Sequence, residues 1–188
     1  MTTILKVNIN DISPQFFQDL KDKFGKTAQV EIRVDEQKHG EGLLSDEQFW
    51  EIIGLLDWSK KNRTDIIAPA VTALSKMPMS SIYLFQDKLS EKLYQLDTRA
   101  HGDGYLQKQD DDYLSVDDSL YVRCAVVAEG KAYYEQVLNN PAELPVDIDF
   151  EHLLSLADEA YKLKTGKEFN YFPIFNYETH SNTEGWKA

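Results

Sequence analysis

The chain has 188 residues, enough for one medium domain or for a small module followed by a domain. Its apolar fraction of 42%, with 9 Phe, 10 Tyr and 3 Trp, excludes a globally disordered chain. A formal net charge of -12 argues against a basic face for nucleic-acid phosphates; it suits a basic partner protein, or serves only to keep the chain soluble.

The first elements follow from periodicity. Residues 4–8 alternate apolar and polar, as a half-buried strand does, and residues 30–34 do so again through Val30, Ile32 and Val34. Between them Ser13 caps a helix with Pro14 at its first position. Phe16, Phe17, Leu20 and Phe24 form its apolar stripe and Gly25 ends it. Residues 1–36 therefore read as a strand–helix–strand module, a small βαβ-like unit too short to bury its own surface. It is expected to pack on the rest of the chain or to pair with a second copy as a homodimer. Residues 37–44 are a charged linker with two glycines. Residues 45–188 read as a helical domain with an aromatic tail, so the fold class is mainly α.

Within that domain, Ser45 and Gln48 make a capping box before Phe49, Trp50, Ile52, Ile53 and Leu56. The next helix runs from about Thr64 to Lys76, and Pro69 inside it is expected to kink or split it. After Pro78, the residues Ile82, Phe85, Leu89, Leu93 and Leu96 repeat at steps of three and four. Gly102 and Gly104 are read as stopping that helix, and residues 103–114 as a polar, acidic loop. Ser115 and Asp118 start another helix, read as continuous to Asn139-Asn140-Pro141. Asp149 is the expected cap of a last helix that Gly166 terminates. The tail from Phe169 is too apolar to hang free and is expected to lie across the helices. Phe49, Trp50, Ile53, Phe85, Leu89 and Leu93 should share one core.

The chemistry of the sequence is sparse. It has no glycine-rich phosphate loop, dinucleotide fingerprint, H-E-x-x-H or G-x-S-x-G. No cofactor and no resident metal are expected. Cys124, the one cysteine, lies among Val122, Ala125 and Val126 and reads as a small buried hydrophobe. It permits no intramolecular disulfide. Residues 1–6 lack the basic and apolar regions of a signal peptide. No apolar run approaches the roughly 20 residues that span a bilayer. A cytoplasmic protein without direct membrane or nucleic-acid contact is the expectation.

The densest charge feature runs from Asp97 to Asp118, seven aspartates against Arg99 and Lys108. Asp103, Asp110, Asp111, Asp112, Asp117 and Asp118 are the candidate partner-binding residues. Aspartates can also hold a hard cation, but the spacing of a calcium loop is missing, and Asp117 and Asp118 fit the first turn of a helix as well. Asp97, Arg99, His101 and Arg123 form a candidate polar cluster. Arg123 lies in the apolar stretch 120–128, where a buried cation calls for a carboxylate partner.

Several short stretches in a fixed order carry a resemblance. They are Phe49-Trp50-Glu51-Ile52-Ile53; Leu93-Tyr94-Gln95-Leu96-Asp97-Thr98-Arg99; Ser115-x-Asp117-Asp118 leading to Leu120-Tyr121-x-Arg123; Glu129-Gly130-Lys131-x-Tyr133-Tyr134; and Asn140-Pro141. Over about residues 45–165 they resemble the bacterial domain-of-unknown-function family 4240. The chain departs from the family's pattern at Cys124 and Ala125, where many members have glycine and a bulky residue. The resemblance implies a helical domain and no activity, and an association with accessory proteins of bacterial conflict systems, including toxin-neutralising ones.

Three functions remain open from the sequence. The first is an acidic interaction protein, an antitoxin or immunity-type protein neutralising a basic partner. The second is an enzyme of unknown class with a polar site between helices. The third is a structural or dimerisation module.

Overall fold

A computed structural model describes residues 7, 12–25, 30, 44–110 and 112–187. The chain divides into two units, residues 1–39 and 40–188. It is mainly helical, with eight α-helices and no strand among the described residues.

In the first unit the described element is α1, Pro14–Phe24. The Ser13 hydroxyl accepts the Phe16 N–H at 3.2 Å, and Gly25 closes the helix at φ 85°, a left-handed backbone that glycine adopts without strain. No residue of α1 is buried, and Phe17 and Phe24 are 39% and 45% exposed. The two expected strands lie outside the described residues except at Val7 and Val30, neither of which is in a strand. A βαβ-like module is therefore not part of the structure described.

The second unit opens with α2, Asp46–Ile53, where the capping box forms in full: Gln48 N–H to Ser45 Oγ at 3.1 Å and Ser45 N–H to Gln48 Oε1 at 2.9 Å. Helix α3, Arg63–Lys76, is not split at Pro69. Losing one backbone donor is outweighed there by burial of Ile66, Ile67, Ala70, Val71 and Leu74 along the same helix. Helix α4, Met79–Gln95, is the central element, packed against α2, α3, α6 (Val116–Ala128) and α8 (Leu156–Thr165). All six expected core residues belong to one continuous cluster. Aromatic rings link α2 to α4, with Phe49 and Phe85 centroids 5.0 Å apart.

Four local readings change. Gly102 and Gly104 do not stop a helix; they lie inside α5, Arg99–Gln109, capped by Thr98. Most of the expected acidic loop is thus helical. The glycines are tolerated because neighbours press on them: a Cβ at Gly102 would sit 2.6 Å from the Trp186 ring, and one at Gly104 would sit 3.0 Å from the Pro141 carbonyl. The segment 115–139 is two helices, α6 and α7 (Lys131–Asn139), because Gly130 turns the chain at φ 97°. Asp149 caps nothing. It pairs with Arg63, and a 3-10 turn, Glu151–Ser155, leads into α8.

The tail after α8 lies against the helical unit, as its composition demands. Residues 169–180 alternate between half-buried and exposed, odd positions inward and even positions outward. Phe169 and Tyr177 pack on the core, whereas Phe172 and Ile174 are 81% and 75% exposed.

Candidate functional site

The end of α4, the start of α5 and the middle of α6 bring the polar cluster together. Asp97 follows α4 and is 1% exposed. Its carboxylate accepts four donors from the tail: His180 N–H at 3.0 Å, Asn182 N–H at 3.0 Å, the Trp186 indole N–H at 2.8 Å and the Ser181 hydroxyl at 3.4 Å. Charge-assisted bonds of this kind hold a buried carboxylate without a cation.

Arg123, in the middle of α6, is also 1% exposed. Its expected carboxylate partner is not there: among the described residues no carboxylate oxygen lies within 4 Å of it. The guanidinium donates instead to the carbonyls of Leu93 at 2.8 Å, Tyr177 at 3.1 Å and Ser119 at 3.2 Å, and to the Thr179 hydroxyl at 2.8 Å. Burial pulls its pKa down, and the Asp97 charge works against that pull. The five fixed donors of a guanidinium suit four acceptors spread over α4, α6 and the tail, where a lysine would reach only part of them.

Arg99 and His101 serve the same region. The Arg99 N–H donates to the Gly185 carbonyl at 2.9 Å and its Nε to the Trp186 carbonyl at 3.3 Å. His101 is 4% exposed, with Nδ1 2.7 Å from the Thr98 hydroxyl and Nε2 3.2 Å from the Val137 carbonyl. A carbonyl only accepts, so Nε2 carries the proton and Nδ1 accepts from the threonine. Burial lowers the His101 pKa first of all, with the nearby Arg123 charge adding to it. A histidine depressed in the fold is neutral where the unfolded chain has begun to protonate. Stability is therefore full well above the unfolded value of 6.5 and falls as pH drops below it. A His101→Gln variant, which keeps a donor toward Val137, should show a shallower loss of melting temperature between pH 7.5 and 5 than the parent. Parallel curves for the two would contradict the assignment.

The six aspartates read as partner-binding are not gathered in one loop. Asp103 is exposed on α5, and Asp110 ends that helix in a left-handed turn at φ 54°. Asp111 lies outside the described residues. Asp112 is exposed, and Asp117 and Asp118 occupy the first turn of α6, also exposed, where the helix dipole favours them. The two basic residues of this stretch are turned elsewhere, since the Lys108 ammonium donates to the Leu144 carbonyl at 2.8 Å and Arg99 to the tail. Among the described residues no cation lies within 4 Å of Asp103, Asp110, Asp112, Asp117 or Asp118. No group of three His, Cys, Asp or Glu side chains among the described residues could hold a metal ion. Tyr113 and Val116, 72% and 47% exposed, stand between these carboxylates.

A model of a family described as a protein of unknown function (DUF4240) matches residues 44–163. The chain belongs to that family. The DUF4240 region holds α2 to α7 and nearly all of α8, with Asp97, Arg99, His101 and Arg123, and it stops before the tail that bonds to Asp97, Arg99 and Arg123. No curated protein and no solved structure matches the chain.

Sequence reasoning did not find Tyr177, Thr179, Asn182 and Trp186 as the partners of the cluster. The one available signal was Asn182-Thr183-Glu184-Gly185-Trp186, a turn-forming run ending in a large aromatic. Cys124 is fully buried and its thiol is pushed up to about 12 by that burial, which makes it a poor nucleophile. Two surface grooves, of about 770 and 270 Å³, contain none of the cluster side chains.

Proposed function

We propose that this is an interaction protein whose acidic stretch, Asp103 to Asp118, docks on a basic partner protein and neutralises it, as an antitoxin or immunity protein does. The observation that supports this reading is that, among the described residues, five exposed aspartates pair with no cation while both neighbouring cations are bonded to backbone carbonyls. Uncompensated surface charge gives a field that steers an oppositely charged partner. Tyr113 and Val116 supply apolar area amid the charges, the usual make-up of an interface centre. We place the protein in the cytoplasm, in keeping with a single buried thiol; among the described residues no helix is long and apolar enough to cross a membrane. The enzyme reading is less well supported, because Asp97, Arg99 and Arg123 spend their hydrogen bonds on the chain's own tail. The half-exposed Phe17 and Phe24 of α1 leave room for a second copy to pair there.

The test is a low-salt capture from the source organism with the parent chain and with a D110N/D111N/D112N variant. The expected result is a specific basic protein held by the parent, and an association rate about tenfold lower for the variant, with a flatter salt dependence. The melting temperature should not move, since exposed charges contribute little to stability. No specific basic partner, or equal association by both chains, would end the proposal.

A further inference from the structure

All of the buried apolar side chains of the helical unit lie between Leu44 and Ala160, and of the tail only Phe169 and Tyr177 pack on that cluster, both partly buried. Ring contacts of Phe169 and Tyr171 with Tyr83, of Phe169 with Tyr161 and of Phe175 with Tyr94 hold the tail together with a larger set of polar groups, and in one direction. Every group that receives it belongs to the DUF4240 region, and every group received lies beyond residue 163.

The receiving groups form a built site. Two charged side chains, each 1% exposed, bracket a segment folded into two turns, in which the Ser181 N–H returns to the Glu178 carbonyl and the Trp186 N–H to the Asn182 carbonyl: Arg123 takes the Tyr177 carbonyl and the Thr179 hydroxyl, and Asp97 takes the N–H groups of His180 and Asn182. The Tyr94 carbonyl accepts the Asn182 amide at 3.1 Å, and the Arg99 N–H holds the Gly185 carbonyl. The Trp186 ring then comes so close to α5 that a side chain at Gly102 would collide with it, while its indole N–H reaches Asp97. A cation on a carbonyl, a carboxylate on two N–H groups and a slot for one aromatic ring hold a turned peptide by charge-assisted bonds and by shape. Backbone pairing with the rest of the fold is sparse: between this bracketed segment, residues 177–186, and the helical unit the Arg99–Gly185 bond is the one backbone–backbone bond among the described residues.

We propose that the cleft of Asp97, Arg99, Gly102 and Arg123 is a peptide-binding site, and that residues 177–186 occupy it as a displaceable intramolecular ligand. The class of ligand is a peptide that takes the same two turns, with the spacing of Thr179, Asn182 and Trp186, that is Thr-x-x-Asn-x-x-x-Trp. The site adjoins the acidic stretch, where the Thr179 hydroxyl donates to the Val116 carbonyl at 2.6 Å, but neither proposal depends on the other.

The test uses the full chain with a protease recognition sequence inserted after Gly166, which is exposed between α8 and the tail. The chain is cut under native conditions, and a fluorescent peptide of residues 168–188 is titrated in while anisotropy is followed. The expected result is saturable uptake with helical circular dichroism retained. A Trp186→Phe peptide should bind at least about tenfold more weakly, because a smaller aromatic ring remains and the indole N–H, the charge-assisted donor, is lost. An Asp97→Asn protein should show a similar loss, and the peptide variant decides alone if that protein does not fold. The proposal is overturned if the cut chain loses its helical signal when the tail departs. It is also overturned if the tail never exchanges, or if the parent and Trp186→Phe peptides bind alike.

Discussion

Replacing Phe85 with alanine should lower the unfolding free energy by about 3–5 kcal/mol. Phe85 is fully buried at the middle of α4, with its ring against Phe49, which in turn meets Trp50 edge-on at 4.9 Å. The loss has two parts: the transfer of the ring to water, and a cavity that the surroundings fill only in part. Collapse is restricted because α4 is gripped by α2, α3, α6 and α8, and Asp46 of α2 is tied to Lys92 and Lys88 of α4 at 3.2 and 3.5 Å. In a urea titration the midpoint should fall with the slope unchanged. Leu163→Ala is the matched control: at 61% exposed it should stay within about 0.5 kcal/mol of the parent. A Phe85 loss no larger than the control's would mean that α4 presents a different face.

The second large effect is expected at Arg123. An Arg123→Met variant keeps the apolar stem and removes the cation, leaving the acceptors of Leu93, Tyr177 and Thr179 without their donor. Each lost charge-assisted bond carries roughly 1.5–3 kcal/mol, while relief of the buried charge offsets part of this, so a net loss of about 2–4 kcal/mol is expected. Lysine should recover little of it, since one ammonium cannot bridge acceptors on α4, α6 and the tail. Hydrogen exchange distinguishes this variant from a simple core defect. The amides of His180 and Asn182 should lose protection before those of α4, because the tail is released first. Uniform loss across both would show that Arg123 serves the core and not the tail.

Much of the helical unit was legible in the residues. The alternation of Ile82, Phe85, Leu89 and Leu93, the capping box of Ser45 and Gln48, and the Ser115 cap each fix a local choice by short-range geometry, and each stands in the structure as read. The DUF4240 membership was readable for the same reason, from short motifs in order. Local signals misled where a distant partner decides the outcome. Gly102 and Gly104 look like helix stops, yet they sit within α5 because Trp186 and Pro141, 84 and 37 positions away, need the space a side chain would fill. Gly130 looked unremarkable inside a helix, yet it ends α6. Asp149 looked like a cap, yet Arg63 claims it.

The sequence by itself determined that the chain is acidic, builds an apolar core from amphipathic helices and has a tail too aromatic to stay in water. These are properties of composition and of spacing within a few residues. Only the tertiary structure decided that Asp97 and Arg123 share the tail between them instead of pairing with each other. That choice rests on hydrogen bonds between residues 54 to 89 positions apart, and the pattern along the chain carries no record of which buried charge meets which backbone group.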